Sequence, residues 1–64
     1  MRGKLKWFSK EKNFGFIEGE NNSDYFLHGS QVPDGMSLED GVELTFDVTD
    51  TDKGKQAINI QYAD

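Results

Sequence analysis

The sequence has no cysteine, one histidine and one proline. Without cysteine no disulfide staples the chain and no thiolate can hold a metal. One histidine beside no cysteine leaves too few ligands for a zinc site. The missing cysteine fits a reducing compartment, so a cytoplasmic location is expected. No apolar run approaches the roughly 20 residues that a membrane-spanning helix needs. The N-terminus also lacks the basic head and apolar body of a signal peptide. A soluble chain with no membrane partner is expected, forming a single domain over residues 1–64. At that size its stability should be on the order of a few kcal/mol. No group of residues forms a catalytic or metal-ligating cluster, so no enzyme activity and no cofactor are expected.

Basic residues are also missing from most of the chain. Between Glu18 and Asp52 there is no Lys or Arg, while ten of the twelve acidic residues lie there. Five of the seven basic residues fall at the start: Arg2, Lys4, Lys6, Lys10 and Lys12. The net charge of −5 argues against a phosphate-rich partner, which wants a positive footprint. Its distribution weakens that objection. Acidic loops that keep a small protein soluble would explain the acidic half, but not the basic start.

Gly and Asx residues punctuate the chain at short intervals, which signals short strands and tight turns. Five strands are read: 2–9, 14–18, 23–28, 42–49 and 55–62. Asn13, in the first turn, tolerates a left-handed backbone. The fourth strand alternates cleanly, with Val42, Leu44, Phe46 and Val48 on one face. In the fifth, Ile58, Ile60 and Tyr62 share a face. Residues 29–41 read as a long loop with at most one helical turn, near Ser37–Asp40, which Gly41 stops. Short antiparallel strands in so small a domain need their edges protected, and closure into a barrel does this best. The fold class expected is all-β.

The second and third strands are anomalous. Alternation puts Phe14 and Phe16 opposite Ile17, and Phe26 and His28 opposite Leu27. Leu5, Ile17, Leu27, Leu44, Phe46, Val48, Ile58 and Ile60 suffice to fill the one core. If Ile17 and Leu27 point in, then Phe14, Phe16, Phe26 and His28 point out. Each exposed ring forgoes about 1.5–3 kcal/mol of burial, and such a patch usually marks a binding surface. Gly15 between the rings removes a core side chain where a small barrel is tight. The inverted arrangement stays open on alternation alone, although it would expose Leu27. Bases have flat π faces, and a base stacked on a ring is worth about 1–3 kcal/mol. Lys4, Lys6 and Lys12 are placed to follow phosphates. Stacking needs unpaired bases, so the expected partner is single-stranded RNA or DNA.

These residues carry a resemblance. Lys6-Trp7-Phe8, Lys12-Asn13-Phe14-Gly15-Phe16-Ile17, Tyr25-Phe26-Leu27-His28 and Gly54-Lys55-Gln56-Ala57 closely resemble the bacterial cold-shock domain proteins, in order and over essentially the whole chain. The resemblance implies a five-stranded antiparallel Greek-key barrel of the oligonucleotide/oligosaccharide-binding type. It implies sequence-tolerant binding of single strands and a role as RNA chaperone or as transcription or translation modulator. By matching positions, Lys6, Trp7, Phe14, Phe16, Phe26 and His28 become the binding face. Phe8 sits beside them, and Lys12, Asp24, Lys53 and Gln56 become polar contacts. The family is commonly acidic overall. Alternation puts Trp7 on the same face as Leu5, so an outward Trp7 requires a bulge near Lys6 or Trp7.

The departures from that family matter too. Asn13 stands where the family usually has Gly. Gly29 stands where it usually carries another stacking aromatic, and Met36 is the nearest residue to a further one. Weaker binding or a shorter footprint is expected. The competing reading is a cold-shock fold whose weakened face docks another protein. The sequence does not fix oligomeric state; a monomer is expected, with a dimer through a strand edge or the patch as the alternative.

Overall fold

The structure is a computed structural model and describes residues 1–63. Its strands are β1 (Arg2–Ser9), β2 (Phe14–Gly19), β3 (Asp24–His28), β4 (Glu43–Thr51) and β5 (Gly54–Tyr62). One 3-10 turn, Gly29–Gln31, follows β3. The Gly- and Asx-rich turns thus divide the chain where expected. The sheet order is β1-β2-β3-β5-β4, and β4 pairs back onto β1, which closes the sheet in a ring.

One expectation fails here. The sheet is not antiparallel throughout, because β3 and β5 run parallel, with Phe26 opposite Gln56. The reason is parity. Strand direction can alternate all the way round a ring only if the number of strands is even. With five, one neighbouring pair must run the same way.

The core comprises Leu5, Ile17, Tyr25, Leu27, Leu44, Phe46, Ala57 and Ile60. Tyr25 and Phe46 pack ring against ring inside it, 5.5 Å between centroids. Val42 and Val48 are half-buried against it, which completes the expected face of β4. Ile58 is not part of it, contrary to the reading of the fifth strand. Between the β4–β5 pairs Thr45↔Gln61 and Asp47↔Ile58 the register slips, so β5 takes three steps where β4 takes two. Asn59 absorbs the extra residue with a left-handed φ of 54°. Two residues then separate the inward-facing Ala57 and Ile60, and Ile58 turns away from the core. Tyr62 is likewise 51% exposed rather than facing inward with Ile60.

The helical turn lies at Gly29–Gln31, not near Ser37–Asp40. The His28 side chain caps it, Nδ1 accepting from the Ser30 N–H at 3.1 Å. Ser37 is instead tied to β5. The Tyr62 hydroxyl donates to the Ser37 carbonyl at 2.7 Å and accepts from its N–H at 2.8 Å. Val32, Met36 and Leu38 pack this loop against the core.

Candidate nucleic-acid interface

The site is built on β1, β2 and β3. Cross-strand pairing sets Phe16 opposite Phe26 and Phe14 opposite His28. Their neighbours Ile17 and Leu27 are fully buried. The pleat therefore drives the rings to the outer face, and the inverted arrangement is excluded. Outside, the rings form a contiguous cluster. Phe14 and Phe26 lie 5.6 Å apart, Phe16 and Phe26 5.8 Å, and Phe26 and His28 6.2 Å.

Trp7 joins them through a bulge. Leu5 pairs with Ile17 and Trp7 with Phe16, so Lys6 is an extra residue in β1. That insertion turns Trp7 out, 40% exposed. Its ring lies 5.8 Å from Phe14 and 5.5 Å from Phe16. Gly15 is needed at the same place. A Cβ there would fall on the Trp7 carbonyl oxygen and 2.7 Å from the Phe8 Cα. Only glycine lets the bulged strand pass so close.

The polar residues are distributed around this cluster. Lys6 holds Asp24 by both carboxylate oxygens, each at 3.2 Å, and the pair is about half exposed. A groove of about 340 Å³ brings Lys53 and Gln56 beside Phe26 and His28. On the other side, a groove of about 450 Å³ is lined by Phe8, Met36 and Lys10 among others. Phe8 is half-buried against the core and only borders this groove. Lys12 is exposed in the β1–β2 turn, and its side chain makes no hydrogen bond or ion pair to the described residues.

Two residues not among the expected contacts adjoin this face. Ser30 fixes His28. Its N–H donates to Nδ1, so Nδ1 is the acceptor in that bond. The signal was a serine two residues after a histidine, an arrangement that permits a side-chain cap. The second is Asn13, read only as a turn former. It does take a left-handed φ of 62°, but its side chain also lies against Gly29.

Among the described residues, no cluster of His, Cys, Asp and Glu could hold a metal, and no helix is long and apolar enough to cross a membrane. What the face offers is flat rings with cationic and amide groups at their edges.

The chain is similar to known proteins over nearly its whole length. A family model described as 'Cold-shock' DNA-binding domain matches residues 1–63. The chain is 50% identical to the cold shock-like protein CspB of Bacillus cereus, covering 94% of this chain and 95% of that one. It is 48% identical to the cold shock protein CspC of Bacillus subtilis, covering 97% of each. It is 46% identical to the cold shock protein CspB of Geobacillus stearothermophilus, covering 94% of each.

Proposed function

This chain belongs to the cold-shock domain family, and on that footing we propose that it binds single-stranded RNA or DNA, with low sequence specificity, by stacking bases on its outer rings. The family match supports nucleic-acid binding. One observation carries the finer reading: Trp7, Phe14, Phe16, Phe26 and His28 cluster on the outer face of strands whose inner face is the core. Rings in that position lose burial, and stacking on bases returns it. Lys6, Lys12 and Lys53 supply phosphate contacts. Asp24 orients Lys6, Gln56 meets base or sugar edges beside Phe26, and Phe8 and Met36 extend the apolar surface at the other end. The ring of strands serves as a Greek-key barrel of the oligonucleotide-binding type, in a single domain. A protein that holds unpaired bases without reading them closely acts as an RNA chaperone or as a modulator of transcription or translation.

The test is a titration of the protein with short oligothymidine or oligouridine at low salt, following Trp7 fluorescence. Quenching that weakens as salt rises is expected. No quenching at millimolar strand would refute the reading. Docking of a protein on the same rings would then remain for this face.

A further inference from the structure

The ring cluster ends at Phe14 and His28, which are cross-strand partners. The next pair beyond them is Asn13 and Gly29, joined by the Gly29 N–H donating to the Asn13 carbonyl at 2.9 Å. These two residues share one space. A Cβ added at Gly29 would fall on the Asn13 Oδ1 and 2.5 Å from its Cγ. The side-chain volume of position 29 is thus filled by the amide of Asn13. That amide has no hydrogen-bond partner among the described residues. Its backbone is pinned on both sides, because the Asn13 N–H also donates to the Ser9 carbonyl at 2.8 Å.

Asn13 and Gly29 both line the groove of about 450 Å³ beside the rings, a volume in the range of small-ligand sites. Phe8 and Met36 give the groove apolar walls. Its rim carries two carboxylates, Asp34 and Glu39, against one ammonium, Lys10.

We propose that this groove takes the edge of one base bearing an exocyclic amino group, adenine or cytosine, and that Asn13 is the residue that reads it. Oδ1 accepts from the amino N–H. Nδ2 donates to the adjacent ring nitrogen, N1 of adenine or N3 of cytosine. An amide can turn over to suit thymine or uracil, so it does not discriminate alone. The rim does. Carboxylates accept hydrogen bonds and repel the carbonyl oxygens that flank a thymine or uracil edge. The inference rests on the reading that the rings stack single-stranded bases. It adds a base-selective position at one end of a tolerant platform.

The experiment uses Trp7 quenching by short oligothymidine strands in which one adenine replaces thymine at each position in turn. At one position adenine should bind roughly five- to tenfold more tightly, the lower part of the range for a two-bond base contact. Replacing that adenine by unsubstituted purine, which lacks only the amino group, should abolish the gain. Asn13→Gly keeps the left-handed backbone and should make adenine and thymine bind alike there. Gly29→Ala should also lower the gain, because its Cβ displaces the Asn13 amide. Equal affinity at every position in the unaltered protein would overturn the inference, while the quenching itself would still support the stacking face. A gain that survives Asn13→Gly would overturn the assignment to Asn13. No quenching by any strand would overturn both.

Discussion

Phe26→Ala and Leu27→Ala are adjacent changes in β3 with opposite expected consequences. Leu27 is fully buried. Truncating such a leucine costs about 2–5 kcal/mol through lost burial and the cavity left behind. A chain of this length has roughly 3–10 kcal/mol in total, so Leu27→Ala should leave a large fraction unfolded or close to it. Phe26 is half-buried on the outer face, and its ring neighbours are Phe14, Phe16 and His28. Full burial of a phenylalanine is worth about 1.5–3 kcal/mol, so a half-buried ring that leaves no cavity should cost about 1 kcal/mol. That lowers the melting temperature by roughly 4–8 °C. Binding should suffer more. Loss of one stacked base is worth about 1–3 kcal/mol, or roughly five- to 150-fold in Kd. Trp7 remains a sound probe, since its ring neighbours are Phe14 and Phe16. The assay pairs a thermal melt by circular dichroism with an oligothymidine titration at two salt concentrations. Phe26→Ala should weaken binding at both without changing the salt slope, because no phosphate contact is removed. Unfolding of Phe26→Ala as severe as that of Leu27→Ala would refute the facing of β3. A Kd changed by less than about twofold would refute stacking on Phe26.

The charge, the tight crossing and the loop latch each give a further expectation. Lys6→Gln should weaken all single strands alike and reduce the slope of log K against log salt by about 0.7. Its melting temperature should hardly move, because exposed ion pairs such as Lys6–Asp24 contribute little. Gly15→Ala should destabilise by about 1–3 kcal/mol, as overpacking does, since its Cβ meets the Trp7 carbonyl oxygen; an unchanged melt would contradict that crossing. Tyr62→Phe removes two hydrogen bonds to Ser37 and should cost about 1–2 kcal/mol. Faster amide exchange at Ser37, with β1–β3 unaffected, would be the signature of a released loop.

Much of this arrangement is legible in the residues. The strands are bounded by Gly and Asx turns, and alternation groups the rings on one face of β2 and β3, although which face points inward is decided only by the burial of Ile17 and Leu27. The parallel β3–β5 pair could have been deduced, since closure of five strands demands one. The position of the 3-10 turn could not be read from helix signals, because the cap is the His28 side chain rather than a serine before an acidic run. The pairing of Asn13 with Gly29 was hidden as well. Two residues sixteen positions apart each looked like an isolated departure until the ladder set them side by side.

The two bulges show why some breaks in alternation are legible and others are not. Both insert one residue and both flip the faces that follow. The bulge at Lys6 could be foreseen because strict alternation would send Trp7 inward beside Leu5, whereas the resemblance to the cold-shock family puts it outside. That conflict demanded an extra residue. The bulge at Asn59 raised no conflict. Ile58 and Ile60 are both apolar, so an unbroken strand gave an acceptable inner face, and Ala57 was too small to be missed from it. The lone trace was an asparagine inside a strand, a residue disfavoured there and tolerant of a left-handed backbone. Replacing Asn59 tests this account. Asn59→Gly should keep the bulge and the melting temperature close to the original, as glycine takes positive φ freely. Asn59→Val should cost about 1–2 kcal/mol, the penalty for a β-branched residue forced left-handed. Equal melts for the two variants would mean that β5 runs unbroken and that Ile58, not Ala57, faces the core.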